Sequence, residues 1–140
     1  MSSYFLRIEK ASLNDLDGII LFIEESTKKL EVSSAVTKDV VLATLEAVTN
    51  ILTHGYKDKP GWVEIVIQRN GKSLIVCFRD LAETFDPTQK PTPDISLPLD
   101  QRPIGGLGVH LIRNFVDEVI HQVPSQGGNE LICIKKDIFP

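Results

Sequence analysis

WVEIVIQRNGKSLIVCFRD, residues 62–80, decides the fold class. Its two halves, 62–69 and 72–79, are rich in β-branched residues, the composition of strands, and Asn70-Gly71 stands between them. Asn-Gly is the preferred two-residue type I′ turn because both residues accept positive φ. An antiparallel hairpin is therefore expected here, with Asp80 at its exit. Upstream, past the turn-rich YKDKPG, lies AVTKDVVLATLEAVTNILTHG, residues 35–55. Val36, Val40, Leu45, Val48 and Leu52 recur at three-to-four spacing, so a long helix is expected from about Ala35 to His54, closed by Gly55 as a left-handed C-terminal glycine. Few of its positions are polar, so most of its circumference should be buried and each polar residue needs its own explanation.

Further out, Leu6 and Ile8 alternate with Arg7 and Glu9, which predicts an opening strand at a sheet edge. Ser12 with Asp15 three residues on is an N-cap signal for a helix carrying Leu13, Leu16, Ile19, Ile20 and Ile23, ending near Lys29. Downstream of the hairpin, residues 81–104 hold five of the eight prolines and no sustained period, a connection long enough to be functional. Gly105 and Gly106 then precede a helical run through Leu107, Leu111, Ile112, Phe115 and Val116. Strands near 118–124 and 130–136 finish the chain, separated by SQGGN. The order β-α-α-β-β-α-β-β predicts an α/β (α+β) two-layer sandwich: a mainly antiparallel five-stranded sheet with three helices on one face.

Composition bounds the rest. At 140 residues one domain, 1–140, is the expectation, and 42% hydrophobic with 24% charged residues is the balance of a folded globular chain. Fifteen Lys and Arg stand against nineteen Asp and Glu, a net charge of −4, so direct nucleic-acid binding is not expected. Cys77 and Cys133 lie in apolar runs without metal-ligand spacing and read as reduced core residues. No stretch approaches the roughly 20 apolar residues of a membrane span, and no leader pattern opens the chain, so a cytoplasmic protein without membrane association is expected.

Three groups of residues carry possible chemistry. Glu46, Asn50 and His54 recur every fourth residue, on one stripe of the apolar helix. They mark either its solvent edge or a site, since a carboxylate and an amide one turn apart suit a general base and a bound magnesium ion. His54, at the carbonyl end of the helix dipole, is also explained without function. Gly105-Gly106-Leu107-Gly108 opens a helix, where free N–H groups bind phosphate, or where glycines merely relax a tight turn. Asp80 ends a strand, where it either accepts a hydrogen bond from an exocyclic amine or begins a turn.

In order and spacing these pieces resemble the boxes of the histidine-kinase-like ATPase superfamily, in particular its anti-sigma-factor serine/threonine kinase branch. Glu46-Ala47-Val48-Thr49-Asn50 with His54-Gly55-Tyr56 is similar to the asparagine box. Asp80 through Phe85-Asp86-Pro87 is similar to the first glycine box, and Gly105-Gly106-Leu107-Gly108-Val109-His110-Leu111-Ile112 followed by Asp117-Glu118-Val119 to the second, with an ATP lid at about 81–104. The resemblance implies an ATP·Mg²⁺ site: Glu46 as general base, Asn50 as Mg²⁺ ligand, Asp80 on the adenine amine, and residues 105–108 around the phosphates. His54, Ala82, Phe85, Leu107 and Val109 would belong to its lining, with Arg102 of the lid either a phosphate clamp or a solvated loop residue. It also implies three partners: a STAS-type anti-sigma-factor antagonist phosphorylated on serine, a sigma factor, and a second copy in a homodimer. The glycine positions after Asp80 are held by Ala82 and Thr84, and Glu83 adds negative charge. If those positions need positive φ, alanine costs about 1 kcal/mol and the side chains narrow the approach to the base. The alternative function is accordingly a non-catalytic protein-binding module of the same fold.

Overall fold

The computed structural model describes residues 2–84 and 106–140, with only the backbone for 106–110. Five strands form one sheet: β1 (Ser3–Ala11), β2 (Gly61–Asn70), β3 (Ser73–Asp80), β4 (Glu118–Gln122) and β5 (Asn129–Lys135). Their order across the sheet is β1-β2-β3-β5-β4, and every pairing is antiparallel. The helices are α1 (Leu16–Lys29), α2 (Ser34–Asn50) and α3 (Gly106–Phe115). The expected order of elements and the two-layer architecture are both found.

Alternation along the strands decides which side the helices cover. Val63, Ile65 and Ile67 of β2 pair with Ile8, Leu6 and Tyr4 of β1 on one side. On the other, Ile65 and Ile67 face Phe78 and Val76 of β3, which pair in turn with Leu131 and Cys133 of β5. That face packs on Ile19 and Ile23 of α1, Val40, Ala43, Ala47 and Val48 of α2, and Ile112 of α3, forming one continuous apolar core. The opposite face carries a cross-strand row of alternating charge in which Arg7, Glu64, Arg79 and Glu130 are successive register partners. Burial alone would raise the Glu64 carboxyl, but the hydrogen bonds and charges of Arg7 and Arg79 outweigh it and hold the group below its ordinary range. Arg79 Nη1 donates to Glu64 Oε1 at 2.7 Å.

Local signals place the helix starts. The Ser12 side chain accepts from the Asn14 N–H, and Asp15 reaches back to the Ser12 N–H at 2.8 Å, so a capping box launches the short 3₁₀ turn that leads into α1. Ser33 caps α2 by accepting from the Val36 N–H.

Two local expectations are corrected. The hairpin loop is Gly71-Lys72 rather than Asn70-Gly71, because Asn70 pairs with Ser73. Of those four residues only Gly71 has positive φ, at 61°, the pattern of a type II′ turn. The long helix also ends differently. α-helical geometry stops at Asn50, and Ile51–Gly55 form a π turn sealed by the Tyr56 N–H donating to the Ile51 carbonyl at 2.9 Å. Gly55 is not left-handed; Lys57 and Asp58 take positive φ instead, at 54° and 67°.

Candidate functional site

α2 presents the first group. Glu46 and Asn50 are half-buried on its last turns, while His54, beyond the switch to π geometry, is exposed. The i, i+4, i+8 stripe expected of a continuous α-helix is therefore interrupted after Asn50. Neither Glu46 nor Asn50 makes a side-chain hydrogen bond with any described residue. Nearby threonines behave otherwise: Thr44 and Thr53 turn back to the carbonyls of Val40 and Thr49, at 2.7 and 2.6 Å, and so direct no hydroxyl proton outward.

α3 lies against α2. Val116, just past the end of α3, lines one small void with Val40, Ala43 and Thr44 in the middle of α2. Gly106-Leu107-Gly108 form the start of α3. The backbone N–H groups of a helix start are the donors that an anion would meet there. Phe85, Arg102 and Gly105, the rest of the lid, and the side chains of Leu107, Val109 and His110 lie outside the described residues.

Asp80 anchors the second group. It ends β3 on the helix-covered face, level with Val63 of β2 and Asn129 of β5, and is only 6% exposed. One oxygen, Oδ1, accepts both the Ala82 N–H and Asn129 Nδ2, each at 3.0 Å. The other, Oδ2, accepts from no described residue. Asn129 Nδ2 also donates to the Glu83 carbonyl at 3.1 Å, and its Oδ1 lies 2.9 Å from His121 Nε2. Burial pushes the Asp80 carboxyl above its ordinary value, against the opposing pull of Asn129, the Ala82 N–H and the His121 charge.

Strain in the segment after Asp80 depends on whether the positions of Ala82 and Thr84 need positive φ, and they do not. Neither Ala82 nor Thr84 has positive φ, so no left-handed backbone is forced on them. The glycines stand opposite instead. At Gly128, φ is 79° and an added Cβ would lie 2.1 Å from the Asp80 carbonyl oxygen. An added Cβ at Gly55 would come within 3.1 Å of the Ala82 Cβ. Close approach has thus moved from the loop itself to its neighbours, and Ala82 is buried as a result.

Tyr56 ties this loop to the end of α2. Its hydroxyl donates to the Trp62 carbonyl at 2.6 Å and accepts the Leu81 N–H at 2.7 Å, with its ring lying over Gly61, where an added Cβ would be 2.4 Å from a ring carbon. Desolvation raises the phenol's pKa, the Leu81 N–H opposes that rise, and the nearby Asp80 charge adds to it. Sequence reasoning quoted Tyr56 without giving it a role and missed Asn129, His121 and Gly128. The pairing of β3 with β5 is the signal that would have found Asn129.

Chemically, a buried carboxylate with one saturated oxygen and one open acceptor matches an amino group of a planar ligand. The unpartnered carboxylate and amide of α2, and the free N–H groups at the start of α3, are groups of the kind that the charged end of such a ligand would need. Among the described residues no group of three or more His, Cys, Asp or Glu could hold a metal ion by itself. Magnesium at this place would therefore depend on Asn50 together with phosphate and water oxygens, which is how Mg²⁺ is usually held. No helix among the described residues is long and apolar enough to cross a membrane.

Comparison with known proteins bears on the family and the fold. Residues 10–135 match the histidine kinase-like ATPase domain family. The serine-protein kinases RsbW of Bacillus thuringiensis (strain Al Hakam) and Bacillus cereus (strain 03BB102) are each 35% identical over 86 residues, 59% of this chain and 54% of theirs. RsbW of Bacillus anthracis (strain A0248) matches to the same extent. This chain thus spans about half the length of those relatives. Among solved structures, the RsbU and RsbW domains of Rv1364c from Mycobacterium tuberculosis align over 95% of this chain and 32% of that one, with a TM-score of 0.65 at 16% identity. At that identity the likeness is one of fold.

Proposed function

The chain belongs to the histidine kinase-like ATPase family, and from that premise we propose that it is an ATP-dependent protein serine/threonine kinase of the anti-sigma type. Its substrate in this reading is a serine hydroxyl on a STAS-type anti-sigma-factor antagonist, its second partner a sigma factor, and its working unit a homodimer in the cytoplasm. Residues 1–140 act as one catalytic domain with the lid at about 81–104. The kinship with serine-protein kinases supports the reaction class.

Bound ATP·Mg²⁺ supplies the phosphoryl group and neutralises its charge. Asp80 Oδ2 accepts from the exocyclic amine of the base, and Asn50 is the protein's ligand to magnesium. The N–H groups that open α3 at Gly106, Leu107 and Gly108, with Gly105 and Val109 beside them, hold phosphate oxygens. By the family resemblance, Ala82 and Phe85 would line the base and His54 and Arg102 would serve the phosphates, Phe85 and Arg102 lying outside the described residues. Glu46, half-buried and without a competing donor, takes the proton of the serine hydroxyl, so the nucleophile is oriented and deprotonated together.

The observation that carries the reading is the asymmetric Asp80 carboxylate, only 6% exposed, with one oxygen saturated and the other an open acceptor. The competing reading, a non-catalytic binding module, drew on the lost glycines of the loop, and the relaxed φ of Ala82 and Thr84 weakens it. Titration calorimetry with ATP and Mg²⁺, followed by label transfer from γ-labelled ATP to STAS proteins of the same genome, tests the proposal. Binding with transfer to serine is the expected result. No heat at millimolar nucleotide would leave only the binding module.

A further inference from the structure

We propose that Asn129 and His121 are positioning residues that fix Asp80 as a one-sided acceptor and so make the base site select a 6-amino purine over a 6-oxo purine. The inference rests on the nucleotide-binding reading above and concerns what makes that site specific. It starts from the amide of Asn129, which has one acceptor end and one donor end that can exchange by a half-turn. Asp80 Oδ1 and the Glu83 carbonyl lie 3.0 and 3.1 Å from the same amide nitrogen. Turning the amide over would set three acceptors against one another, so the donor end must face Asp80. The acceptor end then faces His121 Nε2 at 2.9 Å, and that nitrogen must carry the proton.

This arrangement acts on Asp80 through saturation. With Oδ1 occupied by Asn129 Nδ2 and the Ala82 N–H, the carboxylate cannot rotate without breaking both bonds. Oδ2 is thereby left as an acceptor in a fixed direction. A 6-amino purine offers it a donor, whereas a 6-oxo purine sets oxygen against oxygen. A buried acceptor without its donor is the situation in which an enzyme discriminates strongly between near-isosteric ligands. When the clamp is loosened, the carboxyl turns or keeps a proton, and either change lets it accommodate an oxo group.

The clamp spans three strands, and each strand contributes through pairing. Asp80 and Asn129 are direct register partners on β3 and β5, and His121 pairs with Leu131, two residues further along β5 on the same face. Gly127 and Gly128, both at positive φ, shape the approach to Asn129 and bring the backbone against the Asp80 carbonyl.

Calorimetric affinities for ADP and IDP, measured on the full chain, test this without turnover. The wild type is expected to favour ADP by about 100-fold. Asn129→Ala and His121→Phe should each weaken ADP about tenfold while leaving IDP nearly unchanged, so that the preference collapses toward tenfold. His121→Gln, which can again offer an N–H donor, should restore it. A residue that only stabilised the fold would lower the melting temperature without moving the ADP-to-IDP ratio. If both variants keep the wild-type ratio, the positioning role is wrong although nucleotide binding stands. If the wild type binds neither nucleotide, both readings fall. Should the variants fail to fold, nitrogen-detected NMR of the unliganded wild type decides: a protonated Nε2 on His121 supports the clamp, and an Nδ1–H tautomer with bare Nε2 overturns it.

Discussion

Around Asp80 each polar neighbour is tied to another neighbour, whereas around Glu46 and Asn50 no described side chain offers a bond at all. The Asp80 end is held by three strands and by the Tyr56 strut. The α2 end relies on helix backbone alone to aim its groups. On the proposed reading the contrast teaches where rigidity is needed: recognising a base requires one fixed acceptor, whereas accepting a proton and holding a cation require groups that remain available to ligands. It also forecasts how the ends respond to substitution. Changes near Asp80 should move stability and binding together, and changes at Glu46 should move chemistry alone.

Gly128→Ala should be the most damaging of the changes that could break this contrast. Positive φ and a Cβ placed 2.1 Å from the Asp80 carbonyl leave it no relaxed position. A loss of about 3 kcal/mol is expected, seen as a fall of about 10 °C in thermal unfolding, with nucleotide affinity lost in parallel. Retention of wild-type Tm would mean that the Asp80 end is far softer than its bonds imply. Glu46→Gln comes next and should act in the opposite manner. Label transfer should fall at least about 100-fold, as for a lost general base. Stability and ATP affinity should stay within about 0.5 kcal/mol of wild type, since no described bond is removed. A large drop in Tm would show Glu46 to be a structural residue.

The hairpin shows how far local sequence signals reach. Both hairpin registers, the one expected from Asn70-Gly71 and the one found, keep Val63, Ile65 and Ile67 opposite inward residues. Hydrophobic alternation therefore cannot choose between them. The adopted register sets Glu64 opposite Arg79, where the Asn-Gly loop would have set it opposite Cys77. A charge pair two strands wide thus overrides the turn preference. The elements, their order, the sheet-edge position of β1 and the Ser12 cap were readable, because each is a matter of local period or cap chemistry. The π turn after Asn50 was not, since nothing in ILTHG marks it. Asn129 and His121 stayed hidden for a different reason: only strand pairing across 49 residues brings Asn129 to Asp80.

Tyr56→Phe sharpens the comparison by cutting a hydrogen-bonded strut that joins the end of α2 to the Asp80 loop. The Leu81 N–H and Trp62 carbonyl each lose a partner. Denaturant unfolding should report a loss of about 1–2 kcal/mol, with ATP weakened severalfold. Because Glu46 and Asn50 precede the π turn, the rate of transfer at saturating ATP should hardly change. A collapse of that rate with affinity intact would show the two ends to be mechanically coupled and the contrast to be false.

Asp80→Asn has the smallest effect on folding, and its sign is the most telling. Burial raises the folded carboxyl above its ordinary value, so the native state holds the Asp80 proton more tightly than the unfolded chain does. The resulting contribution to stability is complete below the ordinary value and is lost as pH climbs through the raised folded one. At pH 7 the ionised, buried group therefore costs the unliganded protein stability. Asparagine keeps the shape and still accepts from Ala82 and Asn129 while removing the charge. The variant should be more stable than wild type by about 0.5–1 kcal/mol at pH 7, with the gap closing toward pH 4 in paired denaturant titrations. Its amide nitrogen, placed where Oδ2 was, meets an exocyclic amine donor to donor, so ATP binding should be lost as stability rises. Destabilisation at pH 7 instead would mean that the carboxylate earns its place structurally, and the case for a ligand at Oδ2 would lose its energetic ground.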